Sequence, residues 1–199
     1  MTTSYDQSAL RSRLEALSRR QRAAFAAACA ELLAPAWAHY GQLSGLDDAT
    51  LVADALGELW SSLQAGDRDL AAPLALLEAG MPDEDDDPWF LESGYAQNAA
   101  SSTAYAIQAW LGGGVQQAEW AARQVWEAAD LSAENLGRLQ AFRSPAVGGS
   151  VAASGDVVAT AVLLIEEQLE AVAAADLDPQ TVRRAARAAA TAWWQGTSG

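Results

Sequence analysis

Apolar residues recur at helical spacing along almost the whole chain. Leu10, Leu14 and Leu17 follow an i, i+4, i+7 pattern and predict a short first helix. Arg11, Arg13, Arg19, Arg20 and Arg22 mark its polar side and the start of the next. A second helix is expected from about residue 18, with Phe25, Cys29, Leu32 and Leu33 inward. Pro35 should break or restart it, because proline lacks a donor and its ring meets the carbonyl one turn back. A short helix carrying Trp37 and Tyr40 is then expected to stop between Gly41 and Gly45. Asp47 and Asp48 suit the N-cap of a helix whose inner stripe is Val52, Leu56, Leu59, Trp60 and Leu63, with Gly66 ending it. A short helix over 67–79 turns Leu70, Leu74 and Leu77 inward, with Pro73 tolerated in its first turns.

The pattern breaks at Gly80-Met81-Pro82-Asp83-Glu84-Asp85-Asp86-Asp87-Pro88. Five consecutive acids between two prolines predict an exposed loop. A long helix from about residue 88 to Leu111 follows. Its small residues, Ala99, Ser102 and Ala106, let a neighbour approach closely, which places it at the centre of a bundle. Gly112-Gly113-Gly114 stops it, without the preceding strand or the lysine of a phosphate loop. Helices over 115–129, 132–142, 156–175 and from Asp178-Pro179 onward complete the count, with a flexible link at about 144–155. Together these give an all-α, single-domain bundle of eight or nine helices across residues 1–199.

Composition supports this reading and narrows the partners. Almost a quarter of the residues are alanine, the best helix former, while β-branched residues are scattered. Net charge is −14, with no lysine and all twelve basic residues arginine. Nucleic acid and anionic membrane surfaces both need basic residues, so neither partner is expected. Cys29 is the only cysteine, which leaves no intramolecular disulfide and reads as a small core residue. No apolar signal core or membrane-length stretch is evident, and a cytoplasmic location is expected.

Several segments together resemble a known family. Leu14-Glu15-Ala16-Leu17, Gln21, Phe25, Ala28-Cys29-Ala30-Glu31, Pro35 and Tyr40 are similar to the opening of the YjaG-like bacterial family. Trp60, then Met81-Pro82-Asp83, the acidic run and Tyr95-Ala96-Gln97-Asn98-Ala99-Ala100 resemble its second block. The likeness covers about residues 10–130. It implies an α-helical fold and a tie to bacterial signalling, and brings no assigned activity.

Candidate chemistry is sparse. His39, the only histidine, has no elbow-like serine motif to serve and reads as a half-buried structural residue. A carboxylate-only metal site could in principle use Glu31 and Asp47. The acidic run suits a divalent cation by composition, but it lacks the calcium-loop glycine and the second acidic motif of a diphosphate binder. Trp37, Trp60 and Trp110 fit core stripes. Trp193 and Trp194 cannot both point inward from one helix face, so one is expected to be exposed or to pack on a partner. Trp89, beside the acids, is a plausible contact residue.

No catalytic or metal residue and no cofactor is therefore assigned. The residues favour a non-enzymatic protein-binding module, of the immunity or signalling-adaptor kind. Asp83, Glu84, Asp85, Asp86, Asp87, Trp89 and Tyr95 would contact a basic protein partner. The alternative is a carboxylate-metal enzyme acting on a phosphate-containing small molecule, and self-association into a homodimer is a third reading.

Overall fold

The computed structural model describes residues 5–45, 49–66, 68–83, 91–143, 151–174 and 176–197. Among them every regular element is an α-helix: α1 Gln7–Glu15, α2 Arg19–Ser44, α3 Leu51–Ala65, α4 Ala71–Ala79, α5 Leu91–Leu111, α6 Val115–Arg143, α7 Val151–Ala173 and α8 Pro179–Thr197. They pack as a single all-α domain.

Local chemistry sets the boundaries. The Asp6 carboxylate accepts the Ala9 N–H at 3.0 Å and starts α1. Ser18 and Gln21 form a reciprocal capping box that opens α2, and Gly45, at φ +68°, closes it in the left-handed conformation. Asp178 caps α8 directly before Pro179.

Four boundaries differ from the sequence expectation. Pro35 does not end a helix, because α2 runs through it to Ser44. The proline removes the donor for the Glu31 carbonyl and loosens the turn. The next carbonyl in that turn, Leu32 O, accepts the Trp194 indole N–H at 2.7 Å. Packing around α2 offsets a penalty of roughly 3 kcal/mol. The segments 115–129 and 132–142 are one helix, α6, because Asp130-Leu131 contains no breaker. α7 begins at Val151, so the expected link at 144–155 ends earlier: Ala152 and Ala153 outweigh Gly155. Residues 144–150 lie outside the described residues. Finally, Thr50 rather than Asp47 or Asp48 occupies the N-cap of α3, and both aspartates fall outside the described residues.

The central helix is α2, not α5. Every residue from Ala23 to Leu33 is buried, and α3, α5, α6, α7 and α8 all pack on α2. A helix apolar on all sides can be satisfied only by neighbours on all sides. The small side chains Ala99 and Ala106 of α5 are buried and let that helix lie close along α2. Gly41 serves a similar purpose at the far end, since a Cβ there would stand 2.8 Å from the Ala49 Cβ.

The bundle has two ends. Arg19 of α2 bonds the Trp110 carbonyl at the close of α5, and Arg20 bonds Leu63 O near the close of α3. The beginnings of α3 and α5 therefore lie at the opposite end, with α5 about 30 Å long. At that end Leu51 meets Gly80, which follows α4, and the chain enters the acidic run.

Candidate functional site

The two residues before the acidic run are fixed in place. Pro82 is buried, and its carbonyl accepts a hydrogen bond from Gln97 Nε2 at 3.2 Å. Ser101, one turn further along α5, directs its hydroxyl to the Met81 sulfur at 3.5 Å. Gln97 and Ser101 thus hold Met81-Pro82 against one face of α5, and Asp83 follows, exposed. Glu84, Asp85, Asp86, Asp87 and Trp89 lie outside the described residues.

Tyr95 is engaged elsewhere. Two residues before Gln97, it projects about 200° around α5 from the Met81-Pro82 strap. Its hydroxyl bonds Ser132 and Asn135 of α6; burial raises its pKa, and those bonds partly oppose the rise. Its ring meets Trp194 edge to face, with centroids 5.7 Å apart. Trp193, buried, packs beside Trp194 at 5.4 Å. The adjacent tryptophans thus both pack within the chain, so neither the exposed position nor the contact with a partner that the sequence suggests for one of them is needed. Trp37, Trp60 and Trp110 are buried in the core as the stripes indicate.

Among the described residues two carboxylates are buried, each with its own partners. Glu31, 2% exposed, gives one oxygen to Arg183 Nε and the other to Arg187 Nε, each at 2.9 Å. These arginines lie one turn apart on α8, so Glu31 fastens α8 to α2. With both oxygens occupied, a metal role for Glu31 has no support. Glu119 of α6 is equally buried. One oxygen bonds Gln7 of α1, and the other lies 3.5 Å from Arg11 Nη1 without hydrogen-bond geometry. The signal for Glu31 was an acid inside an otherwise apolar run, followed far away by Arg183 and Arg187 at i, i+4.

The remaining reactive groups are placed as follows. Cys29 is fully buried and burial pushes its thiol pKa up, which suits packing rather than nucleophilic attack. His39 is exposed on α2, not half-buried. Among the described residues, no three His, Cys, Asp or Glu side chains stand close enough to hold a metal ion. None of the described helices is long and apolar enough to cross a membrane.

α4 and α1 are the two shortest helices, nine residues each, and α4 is the more apolar. Its sequence, Ala71-Ala72-Pro73-Leu74-Ala75-Leu76-Leu77-Glu78-Ala79, has one charged residue, and only Leu77 is buried. Ala72, Ala75, Leu76 and Ala79 are all exposed, and their spacing places them on one stripe.

The model of a family described as "Protein of unknown function (DUF416)" matches residues 9–143, more than half of the chain. No curated protein matches in sequence. Among solved structures, a DUF416 family protein from Shewanella baltica OS155 aligns with a TM-score of 0.68. It shares 18% identity over 92% of this chain and 93% of its own. At that identity the likeness concerns the fold, which extends through the C-terminal third that the family model leaves unmatched.

Proposed function

From the premise that this chain belongs to the DUF416 family of unknown function, we propose that it is a non-enzymatic protein-binding module with an acidic surface. It acts in the cytoplasm as an immunity-type protein or signalling adaptor, and its partner is a basic protein. Asp83, Glu84, Asp85, Asp86 and Asp87 form the contact segment, with Trp89 as its aromatic member; Tyr95, turned toward α6 and Trp194, is left out of it. The YjaG-like resemblance of residues 10–130 belongs to this reading and suits the signalling version.

The observation that carries the proposal is the distribution of charge. From Asp69 to Ala122 there is no lysine, arginine or histidine, while the same stretch holds Asp69, Glu78, the five acids at 83–87 and Glu92, besides the buried Glu119. A surface of one sign raises the encounter rate with a basic partner and repels phosphate backbones and anionic membranes. Support also comes from the anchoring of Met81 and Pro82 on α5, which presents the acids from a rigid base.

The test is affinity capture from the native host with the full chain and with the Asp83→Asn/Asp85→Asn/Asp86→Asn variant. The expected result is a basic protein retained by the first, lost with the second, and released as salt is raised. Capture of nothing by the wild-type chain would defeat the proposal. So would tight Mg²⁺ or Mn²⁺ binding in calorimetry that disappears in Asp85→Asn/Asp86→Asn, which would favour the metal-dependent enzyme instead.

A further inference from the structure

α4 breaks a rule that the rest of the bundle obeys. A helix apolar on all sides belongs in a core, as α2 shows, yet α4 lies on the surface with Leu76 60% exposed. Scattered exposed leucines are ordinary. A whole apolar stripe on one helix is the kind of exposure that marks a contact surface. Its inner side is fixed: Leu77 is buried, Leu74 packs against the core, and the helix lies on α3 and α5. At its end a Cβ on Gly80 would meet Leu51 Cδ2 at 2.9 Å, so α4 is pressed against the start of α3. The outward stripe is thus held in place and remains uncovered within the described chain.

We infer that the stripe Ala72-Ala75-Leu76-Ala79 is a docking face for an amphipathic helix of a partner protein whose polar side carries lysine or arginine. This rests on the protein-binding reading above and names the partner's chemistry. The stripe is about 11 Å long, enough for about two turns of a partner helix. Its three alanines let another helix axis approach closely, and Leu76 supplies the single large side chain. The partner must therefore bring the bulk: leucine, isoleucine, methionine or phenylalanine at i, i+3, i+4 spacing.

Charge selects the sign of that partner. Asp69 stands exposed just before α4, with its carboxylate accepting the Ala71 N–H at 2.9 Å. Glu78 is exposed on α4, and exposed Asp83 follows it at the head of the acidic run. Arg68, the nearest base in sequence, is occupied by Glu58 at 2.7 Å. A basic amphipathic helix meets acids at both ends of the stripe. A second copy of this chain is a poorer occupant, since it would bring the same acids together on two chains of charge −14.

The experiment uses the full chain and a labelled synthetic peptide of about 18 residues, with leucine on one helical face and lysine on the other. Binding is read by fluorescence anisotropy at about 0.15 M salt. The wild-type chain should bind it, and a scrambled peptide of the same composition should bind less well. Leu76→Asp, at an exposed position, should weaken binding at least about tenfold while leaving the melting temperature unchanged. Ala75→Glu on the same stripe provides a second reading should Leu76→Asp unfold the chain. Asp83→Asn with Glu78→Gln should weaken binding and flatten its salt dependence. Equal binding by wild type, Leu76→Asp and Ala75→Glu, with a loss in the acidic variants alone, overturns the α4 site and leaves the protein-binding reading standing. Failure of the wild-type chain to bind the peptide overturns the inference whatever the capture experiment yields. Sedimentation that shows a dimer dispersed by Leu76→Asp, with peptide binding intact, assigns the face to self-association and overturns it too.

Discussion

The end of the bundle where α2 starts and the end where the acidic run emerges use charge in opposite ways. At the first, Arg19 gives Nε to the Trp110 carbonyl at 2.8 Å and lies over the Trp110 ring. Arg20 gives two donors to Leu63 O at 3.0 and 2.7 Å, Gln21 bonds Val172 O at 3.0 Å, and Arg22 bonds Leu17 O at 2.6 Å. The last turns of α5, α3 and α7, together with the turn after α1, are thereby tied to the first turn of α2. Helix C-termini carry unsatisfied carbonyls and partial negative charge, so guanidinium groups suit them. At the second end Glu78 and Asp83 are exposed, and Gln97 and Ser101 bond to Met81-Pro82. Every arginine whose side chain is described has a partner inside the chain. The bases are therefore structural and the surplus acids are left to the surface. That division is why a net charge of −14 is informative about partners here and not about folding.

The sharpest test of the division is the acid drawn inside. Glu31→Ala leaves Arg183 and Arg187 facing a buried gap and should destabilise the chain most, by roughly 2–4 kcal/mol. The figure is kept below that of a fully buried pair because Arg187 is 53% exposed and Arg183 is 18% exposed. The urea unfolding midpoint measures it, and Arg187→Ala should cost clearly less because Arg183 still neutralises Glu31. Equal losses from the two would mean that Arg183 alone does not neutralise Glu31.

Arg19→Ala and Arg20→Ala should come next, at about 1–2 kcal/mol each, from lost charge-assisted bonds to helix-end carbonyls. Thermal unfolding in low and high salt checks this, and the losses should survive added salt because these bonds are partly buried. At the other end, Asp85→Asn/Asp86→Asn should change stability by no more than about 0.5 kcal/mol and in the favourable direction. A clear loss there would show that the acidic run is part of the fold and would erase the contrast between the ends.

The fold was legible where the periodicity was unambiguous. The stripes of Leu10 and Leu14, and of Val52, Leu56, Leu59, Trp60 and Leu63, are buried where expected. What misled was local punctuation read without tertiary context. Pro35 is a breaker in isolation, but α2 is enclosed by five helices and its loosened turn receives Trp194. The alanine run from residue 23 to 33 had signalled this, since residues apolar on every side need neighbours on every side. The candidate site was less legible. The acidic run announces itself in sequence, but its attachment to Gln97 and Ser101 depends on how α5 is rotated. The Glu31 clamp links residues some 150 positions apart. No local spacing rule reaches that far.

The smallest expected effect concerns an acid that caps α8. Asp178 accepts the hydroxyl of Thr181 and the N–H of Gln180 at the start of α8, and Arg184 lies nearby. The Thr181 hydrogen bond comes first among the causes that hold its carboxyl below the ordinary value of 3.8; the backbone bonds and the Arg184 charge add to it. A carboxyl whose pKa is lower in the folded state stabilises that state above the ordinary value. The contribution is lost as pH falls through the lowered one. Asp178→Ala should therefore lower the melting temperature slightly at neutral pH, with a constant difference from wild type down to the ordinary aspartate range. Below that range the two melting curves should converge, because the protonated cap no longer favours the folded chain. Persistence of the full difference in strong acid would show that Asp178 acts through its shape as a cap rather than its charge. The helix start would then be indifferent to the electrostatics that organise the arginine side of the bundle.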